Sequence, residues 1–186
     1  GGEGGVREVR GDPDPHPPEG GRERAGAAGR AADGLNRYPD REFLDLRADL
    51  ASDLAVESGV RLPAEQIWAA NGSNEVMLHL LQGFGGPGRT ALSFAPTYSM
   101  YPEYARDTHT RWISHPRRDD FGLDVDAVLA AIAEHRPDVV LVASPNNPTG
   151  TAVGPDVITA ICTAAPGVVV VDEAYASKRG LKPLGR

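Results

Sequence analysis

The sequence predicts an α/β fold with a mainly parallel sheet sandwiched by helices. Three observations carry that expectation. Short apolar runs alternate along the chain with stretches of helical periodicity. Two of these runs, Val139-Val140-Leu141-Val142 and Val168-Val169-Val170-Val171, contain no polar residue, as in strands covered on both faces. Polar loops follow the runs, and open parallel sheets bind ligands beyond the carboxyl ends of their strands.

In order along the chain, Phe43, Leu46, Leu50 and Leu54 fall at spacings of three, four and four. That spacing predicts an amphipathic helix stopped by Gly59. Ile67-Trp68-Ala69-Ala70 predicts a short strand, with Asn71-Gly72-Ser73 as a turn after it. Met77, Leu78, Leu81 and Phe84 predict a helix over 74–84. Thr90 to Ala95 reads as a strand, Tyr101 to Asp107 as a short helix, and Thr110 to Ser114 as another strand. Asp124 or Asp126 can cap a helix to about His135, with Val125, Leu129 and Ile132 on one face. Pro155 suits the first turn of a helix reaching about Ala164. No internal repeat is found.

The 186 residues, 40% hydrophobic and 24% charged, suffice for one ordinary domain. Nineteen Lys+Arg against 26 Asp+Glu give a net charge of −7, which argues against nucleic acid or an anionic membrane as partner. No run approaches the roughly 18 apolar residues of a membrane span. The first residues carry neither the basic nor the apolar region of a signal peptide. One cysteine, Cys162, excludes an internal disulfide and a Cys-rich zinc site; in a helical stretch, it reads as a small buried hydrophobe. A soluble protein of the reducing cytoplasm is the expectation.

The composition is uneven. Residues 1–34 hold ten Gly, four Pro and twelve charged residues, with Val6, Val9 and five alanines as their only apolar side chains. Such a stretch cannot offset its chain entropy by burial and is expected to be disordered. Residues 35–176 form the expected globular body. Residues 177–186 form a basic tail, with Lys178, Arg179, Lys182 and Arg186 and no acid.

Four loops in the body could carry chemistry. Asn71-Gly72-Ser73-Asn74-Glu75 puts backbone N–H groups at a helix start, which suits a phosphate; an ordinary cap by Ser73 or Asn74 is the plainer alternative. Ser144-Pro145-Asn146-Asn147-Pro148-Thr149-Gly150 is a stiff turn able to aim an amide at a ligand oxygen, although turn chemistry alone could account for its composition. Asp172 ends an apolar strand in Val171-Asp172-Glu173-Ala174-Tyr175. It would there be partly desolvated and would need a cationic partner, such as a protonated ring nitrogen, unless it simply faces water. In Ala95-Pro96-Thr97-Tyr98-Ser99-Met100-Tyr101, Tyr98 could lay an aromatic face on a flat ligand, or Tyr98 and Tyr101 could both pack over the sheet.

Other patterns carry nothing. Gly83, Gly85 and Gly88 match a dinucleotide fingerprint in spacing, but follow a helix and precede a strand, the reverse of the required order. No phosphate loop with Lys and Ser/Thr is present, which leaves a nucleotide-binding module as a fallback only. His16, His79, His109, His115 and His135 show no metal-ligand spacing, and no metal site is expected.

Taken together and in order, Leu35-Asn36-Arg37-Tyr38-Pro39-Asp40, Ala70 to Glu75, Pro96 to Tyr101, Ser144 to Gly150 and Val171 to Tyr175 resemble motifs of the fold-type I pyridoxal-phosphate aminotransferases. The histidinol-phosphate branch is the most similar, and Phe121-Gly122-Leu123-Asp124-Val125 is also like it. The resemblance covers about Leu35 to Tyr175. It implies pyridoxal 5'-phosphate as cofactor, with backbone groups of Gly72, Ser73 and Asn74 on its phosphate and Tyr98 stacked on its ring. Asn147 and Tyr175 would bond the phenolic oxygen, and Asp172 the ring nitrogen. Keeping that nitrogen protonated maintains the ring as an electron sink. Tyr38 would reach the phosphate bound by a partner subunit, which implies a homodimer.

The implied reaction is transamination between histidinol phosphate and 2-oxoglutarate in histidine biosynthesis. Related branches act on aromatic amino acids or decarboxylate threonine phosphate. The family's Schiff-base lysine lies a strand or more beyond the Asp-Glu-Ala-Tyr motif, and no residue here is assigned to it. Lys178, six residues past Asp172, has no strand and helix to bring it round to the ring. The family's C-terminal domain and N-terminal arm have no counterpart either. The expectation is therefore a truncated or frame-shifted, inactive piece of a transaminase, or in another functional class a non-catalytic cofactor-binding fragment.

Overall fold

The computed structural model describes residue 38 and residues 40–176. The expected disordered stretch 1–34 and the basic tail 177–186, with Lys178, lie outside the described residues. The chain divides into two units, Gly1–Glu42 and Phe43–Arg186. In the first, Asp40 Oδ1 accepts a hydrogen bond from the Glu42 N–H at 3.0 Å. All the elements below belong to the second.

Helix α1, Leu44–Ser58, ends at Gly59, whose N–H bonds the Ala55 carbonyl. Its Leu and Val side chains do not reach a core: no residue of α1 is buried, and Val56 is 89% exposed. Arg47 Nε donates to the Ala64 carbonyl at 3.0 Å, tying α1 to a 3-10 turn, Ala64–Gln66. The strand expected at Ile67–Ala70 does not form. Ile67 is buried and Trp68 exposed, as in an extended segment, but among the described residues no neighbouring strand offers a ladder, and the segment runs irregularly into α2, Gly72–Phe84.

From there the alternation is regular: β1 Thr90–Ala95, α3 Tyr101–Asp107, β2 Arg111–Pro116, α4 Val125–His135, β3 Val139–Ala143, α5 Pro155–Ala164 and β4 Val168–Asp172. The four strands form one parallel sheet in the order β2-β1-β3-β4. Asp124 caps α4, its Oδ1 accepting from the Ala127 N–H at 3.1 Å.

Side-chain alternation along the central strands divides the core into two layers. On one face Ala91, Val139, Leu141 and Ala143 pack with Met77 and Leu81 of α2 and with Tyr101, Tyr104 and Ala105 of α3. On the other, Leu92, Phe94, Val140 and Val142 pack with Val128, Ala131 and Ile132 of α4 and Ile161 of α5. Every residue of β3 is buried, which explains its unbroken apolar run. Cys162, expected to be buried, is exposed. It follows Ile161, so the helix turns it roughly 100° away from the buried stripe. Among the described residues no helix is long and apolar enough to cross a membrane.

Candidate functional site

The strand order creates the site. From β1 the chain passes through α3 to β2 on one side; from β3 it passes through α5 to β4 on the other. The loops leaving β1 and β3 diverge, and their separation opens a crevice at the carboxyl edge of the sheet. The start of α2 and the residues after β4 border the same crevice.

The start of α2 is built by an inverse γ-turn. Asn71 sits at φ −74 and ψ 69, and the Gly72 N–H bonds the Ala70 carbonyl at 2.8 Å. Gly72 then takes φ +77, a left-handed conformation that side chains with a Cβ adopt only at a cost. Glu75 folds back so that its Oε2 accepts the Asn71 N–H at 2.6 Å. Neither Ser73 nor Asn74 is the helix cap: Asn71 holds that position, and its side chain makes no capping bond. Asn74 Oδ1 accepts instead from the Tyr98 hydroxyl at 3.1 Å. Four N-terminal N–H groups of a helix lack intrahelical partners, and they carry its positive end.

After β1, Tyr98 and Tyr101 take different roles. Tyr101 is fully buried, and its ring meets Tyr98 edge-on, with centroids 5.5 Å apart and an interplanar angle of 82°. Tyr98 is half-buried and faces the crevice. The Tyr101 hydroxyl donates to Asp172 Oδ2 at 2.7 Å, and Asp172 Oδ1 accepts from the Ala174 N–H at 3.1 Å. Burial first, then the Asp172 charge and hydrogen bond, push the Tyr101 phenol far above its ordinary value, so it stays a donor. Within the chain, then, Asp172 accepts from a neutral phenol and a backbone N–H.

After β3, the two asparagines also divide the work. Asn146 is buried, and its Nδ2 donates to the Pro96 carbonyl at 3.0 Å and to Thr149 Oγ1 at 2.8 Å, pinning the β1 loop to the β3 loop. Asn147 points the other way, and its Nδ2 donates to the Tyr175 hydroxyl at 3.3 Å. The Ser144 N–H bonds the Asp172 carbonyl at 2.9 Å, holding the ends of β3 and β4 together. Arg117 does the same for β1 and β2: its Nε donates to the Phe94 carbonyl at 3.0 Å and its Nη1 to the Phe121 carbonyl at 3.1 Å. Burial lowers the pKa of that guanidinium.

Of the eight residues the sequence nominates, five line one small cavity: Ser73, Tyr98, Asn147, Asp172 and Tyr175. Its volume is about 50 Å³, and Ala143, Pro145 and Ala174 complete its wall. A second depression of about 100 Å³, sharing Pro145, Asn147 and Tyr175, adjoins it. Gly72 and Asn74 flank Ser73 in the first turn of α2. Tyr38 belongs to the N-terminal unit and is fully exposed. A cavity of about 580 Å³ lies elsewhere, against α1, with Ser52, Arg61 and Leu62 in its lining; it holds none of the nominated residues, so size does not mark the site here. The sequence reading missed the roles of Tyr101, Arg117 and Asn146. Tyr101 carried one usable signal, its place three residues beyond Tyr98, but its partner lies 71 residues away.

Residues 15–178 match the family model for aminotransferases of class I and II. The chain belongs to that family. A curated aminotransferase relative, histidinol-phosphate aminotransferase 3 of Burkholderia lata, is 57% identical over 155 residues, covering 83% of this chain and 42% of its own. Two solved aminotransferase structures are similar in fold. N-succinyldiaminopimelate aminotransferase of Mycobacterium tuberculosis has a TM-score of 0.72 at 27% identity, covering 88% of this chain and 44% of its own. Histidinol-phosphate aminotransferase of Sinorhizobium meliloti, solved with pyridoxal-5'-phosphate, has a TM-score of 0.68 at 24% identity, covering 86% of this chain and 43% of its own. The chain thus spans about two-fifths of the length of these relatives.

Proposed function

We propose that residues 72–175 form the pyridoxal-phosphate seat of a transaminase that exchanges an amino group between histidinol phosphate and 2-oxoglutarate. The observation that carries this reading is the convergence of Ser73, Tyr98, Asn147, Asp172 and Tyr175 on one cavity. Their donor set fits the cofactor group by group. The start of α2 offers N–H groups to a phosphate dianion, and Asp172 offers a carboxylate to a cationic ring nitrogen. Asn147 and Tyr175, already in contact, offer an amide and a phenol to an anionic oxygen. Tyr98 offers a ring face.

Pyridoxal phosphate, when bound, supplies the electron sink that amino-group transfer requires. The chain's own residues bind and orient. Asp172 holds a proton on the ring nitrogen, Asn147 and Tyr175 hold the phenolic oxygen, and Ser73 and Asn74 anchor the phosphate, while Gly72, its N–H bonded to the Ala70 carbonyl, shapes the turn that presents them. Tyr38 serves the site of a partner subunit in a cytoplasmic homodimer, and the 57% identity to the Burkholderia lata relative favours histidinol phosphate as amino donor.

The deciding measurement is a titration of the full chain with pyridoxal phosphate, followed by absorbance. Saturable binding is expected, weakened at least tenfold by Asp172→Asn, because a charge-assisted hydrogen bond contributes about 1.5–3 kcal/mol. Absence of binding, or equal binding by the variant, overturns the reading. A second reading is a cofactor binder without turnover, because Lys178 follows Asp172 by only six residues, too few for an intervening strand and helix to bring it round to the ring. Borohydride reduction of the mixture separates the two. A stoichiometric adduct mapped to Lys178 sinks the second reading, and full-length product acting only on aromatic amino acids redirects the first.

A further inference from the structure

We propose that Tyr101 is the positioning residue of this site, its hydroxyl fixing the Asp172 carboxylate in the one rotamer that faces the cavity. The purpose of that orientation rests on the reading of Asp172 as partner of a cationic ring nitrogen; the geometry stands apart from it. Asp172 ends β4, and its side chain is half-buried at the mouth of the crevice. A carboxylate there has free rotation about two bonds unless donors hold it. Two donors hold this one, and they differ in kind. The Ala174 N–H belongs to the turn after β4, so it moves with Asp172 itself. The Tyr101 hydroxyl comes from α3, on a ring packed in the core with Met77, Leu81 and Leu141. That ring has no freedom to follow the carboxylate, so the carboxylate must follow it.

The hydrogen-bond capacities fit. A phenol has one proton to give, and Tyr101 gives it to Oδ2 at 2.7 Å. An ionised carboxylate accepts at about four positions. One partner on each oxygen fixes its plane and leaves acceptor capacity toward the cavity. Arg117, whose charge acts on Tyr101, spends its Nε and Nη1 on the Phe94 and Phe121 carbonyls. Asp172 is thus oriented by a neutral donor, which leaves its charge available to a ligand cation. Tyr104 is a natural control, because its hydroxyl, buried in the same cluster, makes no hydrogen bond to Asp172.

The test uses the full chain without cofactor. Three-bond couplings of isotopically labelled Asp172 report a single χ1 rotamer in the wild type and averaged values in Tyr101→Phe, which keeps the ring and removes only the hydroxyl. Tyr104→Phe retains the single rotamer. An unchanged Asp172 rotamer in Tyr101→Phe, or equal averaging in both variants, overturns the proposal. If Tyr101→Phe does not fold, the wild type and Asp172→Asn decide: the Tyr101 hydroxyl proton should be protected from exchange in the wild type and shifted in Asp172→Asn, and an unprotected hydroxyl or an unshifted one refutes the lock. With pyridoxal phosphate, Tyr101→Phe should weaken binding about tenfold while inorganic phosphate binds as in the wild type. A purely structural role would weaken both ligands alike. Failure of the wild type to bind pyridoxal phosphate removes the functional reading, while the rotamer result still decides the inference.

Discussion

A phenol buried among alkyl side chains and set against a carboxylate resists ionisation for two reasons that add. Desolvation penalises the phenolate, and a neighbouring negative charge repels it. Tyr101 meets both conditions, and Tyr104 is raised chiefly by burial. In the unfolded chain each ionises near pH 10. Above that pH the unfolded chain releases protons that the folded chain retains, so the unfolded state binds fewer protons and stability falls as pH rises. Below it both states are protonated and these residues impose no pH dependence. The expected outcome is a folded chain that withholds the phenolate absorbance of Tyr101 until unfolding releases it. In Tyr101→Phe that step of phenolate release on unfolding is lost. A full complement of phenolate in a chain still folded by circular dichroism contradicts this.

Among the elements, the entry of β4 shows how a single missing Cβ permits a strand junction. The Asp138 carbonyl accepts the Val168 N–H at 2.9 Å, while Asp138 Oδ2 accepts the Thr90 N–H at 2.8 Å. One residue thereby registers β1, β3 and β4. A Cβ on Gly167 would overlap the Asp138 carbonyl, a backbone atom that cannot rotate away. Gly167→Ala should therefore cost on the order of 2 kcal/mol, read as a lower urea midpoint with an unchanged m-value. An unaltered midpoint removes Gly167 from this role. Elements with their own local pattern were legible in the sequence: Pro155 opens α5, Asp124 caps α4, and the Val-rich runs are β3 and β4. Ile67–Ala70 was not, because a strand exists only through a neighbour and no local pattern states whether one is there. The same limit hid the α1 surface. Its periodicity is helical, but what its apolar stripe packs against is not written in the stripe.

For the whole molecule, the order β2-β1-β3-β4 matters more than any element, since it turns four separate loops into one crevice. The nominated residues were legible as an ordered series of types, whereas their meeting depends on long-range pairings such as Tyr101 with Asp172 and Asn147 with Tyr175. A ligand that touches all of these loops must therefore act on global stability. Binding to the folded state alone adds RT ln(1 + [L]/Kd), about 2.7 kcal/mol at a hundredfold excess over Kd. Pyridoxal phosphate at that excess should raise the thermal midpoint of the full chain by several degrees. Inorganic phosphate, which under the proposed function would engage only the start of α2, should raise it much less at the same concentration. Asp172→Asn should lose most of the shift from pyridoxal phosphate and none of the smaller shift from phosphate, because the two ligands share the helix end and differ in the ring. Equal shifts from the two ligands would mean that the crevice recognises an anion and not a pyridine ring, and would confine the site to the α2 terminus.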